Sequence, residues 1–408
     1  MIGWSRPVAF VNARVAVPNG GVATRLRFTT TIRSIDEAPR RGDSVVDLDG
    51  AFVLPGLINA HDHLELNHYG SLKTRDRYEN AAEWIEDVGK VLRSDAAVRR
   101  KMAYPLSARL LVGGLKNVLS GVTTVAHHNP MYREIHASFP VRVVKKYGWA
   151  HSFHLEGRPV GARGERGRNV RAACMATPLD RPFMVHAGEG VDARAASELT
   201  RLEEQGCLRE NTVLVHGVAF TAADWPRILR RDSSLVWCPA SNAFLFGRTA
   251  PIHDVFDRLV DASAHICIGT DSRVTGANDM LDELRVACNV EGISPPQLLR
   301  AATTVAARVL KLPACGTIGV GAAADLLVVP PSRADPAEAL LATRRGDLAL
   351  VVVGGRPAVG SLAMRSAFEA RSAGARPIIV DGRERLADAR LARAIARSPL
   401  GEVGVECR

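Results

Sequence analysis

Residues 54–68 read LPGLINAHDHLELNH, and His61 and His63 stand one residue apart at the end of a short apolar run. In an extended strand, residues i and i+2 point to the same side, so both imidazoles share a face while Asp62 turns away. Two neutral nitrogen ligands on one face are half of a metal site. Other apolar runs also carry polar residues at their ends: GVTTVAH with His127, GWAHSFHLE with His154, PFMVHAGE with His186, TVLVHG with His216 and ICIGTDS with Asp271. Any one of these histidines alone reads as a core residue; their recurrence at run ends is what points to a site. A third histidine and a carboxylate would complete the coordination with a water position left open, and His186 and Asp271 are the natural candidates. A divalent ion held in this way activates water near neutral pH, which makes hydrolysis the default chemistry.

Such residues need elements that bring them together. Residues 7–53 read as short strands broken by turn residues. After Pro55-Gly56 the texture changes to continuously apolar runs alternating with amphipathic helical stretches such as DMLDELRVACNV. Strands of that kind belong to a parallel sheet covered on both faces, and over this length the expected closure is a β/α barrel. In a barrel the C-terminal strand ends converge on one mouth. From residue 316 the strand texture returns with GTIGVGAAADLLVV, LALVVVGGRPAV and RPIIVDGRER. The predicted fold is therefore α/β: a distorted TIM (β/α)8 barrel over 54–315, with a small β-sandwich domain built from both chain ends, 1–53 and 316–384. A C-terminal helix and tail follow over 385–408, with the helix itself over 385–398. Only one strand, near 149–156, is evident between Ala126 and Phe183, so a second is expected around 141–144, or else the barrel is irregular there.

Composition narrows the class. The 408 residues are 47% hydrophobic and 24% charged, values of an ordinary globular chain. The net charge of +10 comes from scattered arginines, with no basic stripe interleaved with aromatics, which argues against nucleic-acid binding. Seven cysteines without a CxxC pair fit reduced thiols in a cytoplasmic protein. MIGWSRPVAF lacks the pattern of a signal peptide, and no run of about 18 apolar residues suggests a membrane span. The expectation is a cytoplasmic protein that acts on a small-molecule substrate, with neither nucleic acid nor membrane as partner and a homodimer left open.

In order along the chain, PGLINAHDH, VHAGE, LVHG, CPASN and IGTDS resemble the amidohydrolase superfamily. More narrowly they are similar to its branch of cytosine-, guanine-, triazine- and S-adenosylhomocysteine-type deaminases and chlorohydrolases. The resemblance runs from about residue 7 to about 385, and the ordered set is far more specific than any piece. It implies one divalent metal ion, zinc with iron as the alternative, bound by His61, His63, His186 and Asp271. It also implies that Glu189, three residues after His186, moves a proton from water to the substrate, that His216 orients the water, and that Asp271 helps deprotonate it. Three departures stand out: Trp237 precedes CPASN where many relatives have a histidine, no lysine ends a predicted barrel strand, and the interval from His61 to His186 is short. The implied activity is replacement of an exocyclic amine by water. Cyclic-amide, other C–N or C–Cl hydrolysis is the alternative, and a non-catalytic assembly member is a third reading. The PCxxC motif of the nucleic-acid base deaminases is absent.

The segment 64–90 follows the first metal strand and is expected to cover the mouth, with Glu65, Asn67, Tyr78 and Trp84 as candidate substrate contacts. Tyr78 and Trp84 equally suit a role as loop anchors. His128, Arg158, Trp237, Asn242 and Ser272 lie near other strand ends and complete the candidate list, Arg158 as a binder of a carboxylate or as a partner of Glu156.

Overall fold

The computed structural model describes residues 6–17, 21–252 and 265–407. Among the described residues, eight short strands follow one another in sequence order in two parallel sheets. Leu57–Asp62, Val122–His127 and Arg142–Val143 form a three-stranded sheet, and Gly148–Trp149, Phe183–Ala187, Thr212–His216, Ser234–Trp237 and Ile266–Ile268 form a five-stranded one. Nearly every residue of the longer strands is buried on both faces, the reason for their unbroken apolar texture. Helices such as Leu106–Leu119, Ala193–Glu204 and Met280–Cys288 separate the strands.

The strand sought around 141–144 is Arg142–Val143, and the one sought near 149–156 is only Gly148–Trp149. Each has two residues, too few for a periodic pattern to register. The rest of 149–156 leaves the sheet and coils into a 3-10 turn at Phe153–Leu155, so His154 does not end a strand.

Just beyond the last strand of the second sheet, the backbone meets the end of the first strand of the other. Asp271 donates its backbone N–H to the His61 carbonyl at 3.0 Å. A Cβ on Gly269 would fall 2.6 Å from that of His61, so only glycine allows the two chains to approach this closely.

The chain ends pair with each other. Phe52–Pro55 lies between Arg14–Ala16 and Leu326–Val329 in a nine-stranded sheet that continues through the C-terminal strands to Val405–Cys407. Val8–Val11, Leu26–Phe28, Ile32–Ile35 and Ser44–Asp47 make a separate four-stranded sheet. One apolar core, including Phe10, Phe28, Val53, Leu326, Val352 and Phe368, joins residues of both sheets. The terminal helix begins later than the sequence suggests. Residues 385–388 are still strand, and Asp388 caps the helix Ala389–Arg397 by accepting from the backbone of Arg390 and Leu391. Among the described residues no helix is long and apolar enough to cross a membrane.

Beyond that helix, Glu402 folds back onto the loop that follows Ile266–Ile268. Its carboxylate receives Arg273 through Nη1 at 2.8 Å and Nη2 at 2.6 Å, and Arg345 through Nη1 at 2.7 Å. Because the Glu402 side chain has no exposed surface, removing it strands Arg273 in a buried setting without a carboxylate. Glu402→Ala is expected to cost about 3–5 kcal/mol of stability, read as a lowered midpoint in urea unfolding. A midpoint equal to that of the parent would show that the pair contributes nothing net.

Candidate metal and catalytic centre

The strand ends deliver their side chains to one point. His61 and His63 come from the end of Leu57–Asp62, His186 from Phe183–Ala187, His216 from Thr212–His216, and Asp271 from just beyond Ile266–Ile268. Asp271 Oδ1 lies 3.9 Å from His61 Nε2 and 3.8 Å from His63 Nε2. Potential ligand atoms of His61, His186 and His216 lie within 4.8 Å of one another, as do those of His61, His63 and Asp271. His216 and Asp271 hold φ of +78° and +51°, a left-handed turn that costs a non-glycine residue about 1–3 kcal/mol and is kept where geometry matters.

The donors suit a divalent ion. His61 Nε2 and His216 Nε2 are buried and have no hydrogen-bond partner, a costly state for an imidazole nitrogen that has no ligand to meet. Burial, aided by the neighbouring imidazoles, holds His61 well below the usual histidine range and His63 at about 3. Burial also lowers His186 and His216. All four are therefore neutral and carry a lone pair. Burial alone would raise Asp271, but His63, His216 and the Thr275 hydroxyl outweigh it and keep the carboxylate ionised. Three imidazole nitrogens and a carboxylate oxygen are a zinc-type donor set.

Second partners fix the ligands. His186 Nδ1 donates to the His151 carbonyl at 2.7 Å, and His216 Nδ1 to Asn242 Oδ1 at 2.9 Å. His61 Nδ1 meets His128 Nδ1 at 3.3 Å. Asp271 Oδ2 accepts from Ser241 and Thr275, and Oδ1 from the Ser272 N–H. Glu189 reaches over the cluster with Oε1 3.5 Å from His216 Nε2. Burial raises its pKa to about 7, with Asp271 adding to the rise and His186 opposing it. A slot of about 20 Å³, room for a single water, lies against His186 and Glu189 and is walled by Asn80, Ala82, Ile85 and Glu198.

The structure brings together His61, His63, His186, Glu189, His216 and Asp271. The nine residues read as substrate contacts take other places, and none lines this slot. Glu65 is buried against Asn129 and Tyr132, and Asn67 bridges Asp62 and Lys116. The Tyr78 hydroxyl holds Thr74, and the Trp84 indole donates to the Leu72 carbonyl, so both anchor the loop. Trp237 is fully buried and donates to Thr249. Arg158 is exposed beside His154 and Glu86, while Glu156 receives Asn169 and the Val170 N–H instead. His128, Asn242 and Ser272 stand behind the ligands as described.

Sequence reasoning missed His151 and Lys116. The fully buried Lys116 ammonium contacts Asn67 Oδ1 at 2.8 Å, Thr270 Oγ1 and the Asp271 carbonyl at 2.9 Å, and Asp62 Oδ2 at 3.3 Å. This lysine ends no strand; it reaches the site from helix Leu106–Leu119. The signal was the Lys116-Asn117 pair inside an otherwise apolar helical stretch.

Residues 165–358 match the model of the Amidohydrolase family, a span that holds His186, Glu189, His216 and Asp271. That stretch thus matches an amidohydrolase family domain, in agreement with the resemblance read from the motifs. It is 27% identical to the 5-methylthioadenosine/S-adenosylhomocysteine deaminase of Natronomonas pharaonis, covering 80% of this chain and 85% of that one. It is 23% identical to the 5'-deoxyadenosine deaminase of Methanothermobacter thermautotrophicus, over 78% and 84% of the two chains. Among solved structures, the zinc complex of an atrazine chlorohydrolase from Arthrobacter aurescens superposes with a TM-score of 0.67 at 20% identity, covering 86% of this chain and 94% of that one. A zinc-bound adenosine deaminase from Xanthomonas campestris superposes with a TM-score of 0.66 at 19% identity, covering 86% and 92%. The likeness establishes a TIM-like α/β fold, and with the histidine cluster it supports a divalent metal.

Lys116→Met removes the cation that faces Asp62 while keeping a long apolar stem. The variant is expected to lose about 3–5 kcal/mol of stability and to retain less zinc after dialysis. Full zinc content with unchanged unfolding would show that the pair does not support the site.

Proposed function

We propose that the protein is a metal-dependent aminohydrolase that replaces an exocyclic amine of a heterocycle with water and releases ammonia. The observation that carries this reading is the convergence of the unpartnered Nε2 atoms of His61 and His216 with Asp271 and a Glu189 poised near neutrality. The protein is a hydrolase acting on C–N bonds, and its relatives named for deamination of adenosine derivatives place aminated purine nucleosides first among candidate substrates. One zinc ion is proposed, held by His61, His63, His186 and Asp271. When bound, the ion supplies the Lewis acidity that makes water nucleophilic near pH 7.

The residues divide the remaining work. His216 Nε2 holds the attacking water beside the reacting carbon. Glu189, whose pKa of about 7 lets it both take and give a proton at working pH, accepts one from water and passes it to the ring nitrogen. Asp271 Oδ1 takes the second proton and returns it to the departing amine, so water and amine leave as carbonyl and ammonia. The proposal also places the eight parallel strands in a closed, distorted barrel, supported by the Asp271–His61 backbone bond. Residues 1–53 and 316–384 would then form a sandwich-type β domain, supported by the core their sheets share. A cytoplasmic enzyme free of nucleic acid and open to homodimerisation fits the composition.

Two variants separate the roles. His186→Ala is expected to abolish zinc retention. Glu189→Gln is expected to keep zinc while turnover falls about 10²–10⁴-fold. Zinc analysis and ammonia release from aminated purines, pyrimidines, pterins and triazines are the readouts. Equal loss of zinc in both variants overturns the division, and product formation without ammonia points to ring opening or dehalogenation instead.

A further inference from the structure

His128 is fully buried, and both of its ring nitrogens are engaged. Nε2 lies 3.0 Å from the Ala150 carbonyl, and Nδ1 lies 3.3 Å from His61 Nδ1. A carbonyl oxygen only accepts, so His128 Nε2 carries the proton. In a neutral imidazole the other nitrogen is then a bare acceptor, and the group facing it must donate. His61 therefore carries its own proton on Nδ1, which leaves its Nε2 unprotonated. That Nε2 is the buried, unpartnered atom 3.9 Å from Asp271 Oδ1.

We infer that His128 is a positioning residue that locks His61 in the tautomer whose Nε2 is free for the metal. The inference rests on the metal-site reading above and deepens it. His186 and His216 have their tautomers set by oxygen acceptors, a carbonyl and an amide. His61 is set by another imidazole, itself set by a backbone carbonyl, so the proton order runs from Ala150 through two rings to the ligand atom. The His128 ring also lies flat on His186, centroids 4.4 Å apart at 4°, and its backbone N–H holds the Asp62 carbonyl at 3.0 Å. The same residue thus braces ligands from two of the three strands that bear them. With both nitrogens spent and no exposed surface, His128 has nothing left to offer a substrate.

Three variants test the relay on the full-length protein, with zinc affinity measured by chelator competition. His128→Phe keeps a flat ring against His186 but has no acceptor, and zinc binding is expected to weaken about 10–100-fold, as for other partners behind a metal ligand. His128→Asn sets a carbonyl oxygen near the Nδ1 position and is expected to restore most of that loss. His128→Gln carries its amide near the Nε2 position instead and is expected to behave like the phenylalanine variant. Nitrogen-15 correlation spectra of the metal-free protein give a second readout: His61 is expected as a single Nδ1–H tautomer in the parent and His128→Asn, and as a mixture in His128→Gln. Parent-like zinc affinity in His128→Phe, or equal affinity in the folded Asn and Gln variants, overturns the relay while the metal site stands. A parent protein that binds no zinc overturns the metal site itself.

Discussion

The site rests on one buried ion pair. Lys116 and Asp62 have no exposed surface, and taking both charges out of water is repaid only if every remaining proton and lone pair is met. Here Asn59, Asn67, Asn117, Thr270 and the Asp271 carbonyl supply those partners. The pair sits where the strand bearing His61 and His63 meets the loop bearing Asp271, so satisfying it fixes the distance between the two halves of the ligand set. The helix that carries Lys116 comes close enough because residue 113 is glycine, where a Cβ would lie 2.3 Å from the Leu64 carbonyl.

Above this polar floor lies a layer of imidazoles. The rings of His63, His128 and His151 lie within 12° of parallel to that of His186, and His216 lies at 18° to it. His61 stands nearly perpendicular, at 85° to His186 and 89° to His63. Burial keeps these rings neutral, which is the condition for packing so many together and for their lone pairs to serve as ligands. The two left-handed residues, His216 and Asp271, complete the layer by turning their strands at the rim.

What the sequence made legible is what local periodicity encodes. His61 and His63 share a face because strand geometry has a period of two, and His186, His216 and Asp271 were visible because each follows a run long enough to be recognised. Arg142–Val143 and Gly148–Trp149 were too short for that, and misjudging the second shifted attention from His151 to His154. The supporting contacts were invisible for another reason. His128 meets His61 across 67 residues, Lys116 meets Asp271 across 155 and Glu402 meets Arg273 across 129, and no local pattern announces a partner that far away. His128 and Asn242 stood out as polar residues near strand ends, yet a residue that orients a ligand and one that touches a substrate look alike until depth is known.

The placement of Glu402 bears on how the molecule is made. Synthesis is vectorial, and Phe52–Pro55 emerges long before Leu326–Val329 exists to cover its edge. Such non-local pairing delays folding and leaves an apolar edge open to mispairing in the interval. The loop that presents Asp271 waits longer still, since Arg273 meets its carboxylate only after the terminal helix has been translated. Until Glu402 is made, the nascent chain therefore carries Asp271 and Arg273 without the buried carboxylate that holds the Arg273 guanidinium.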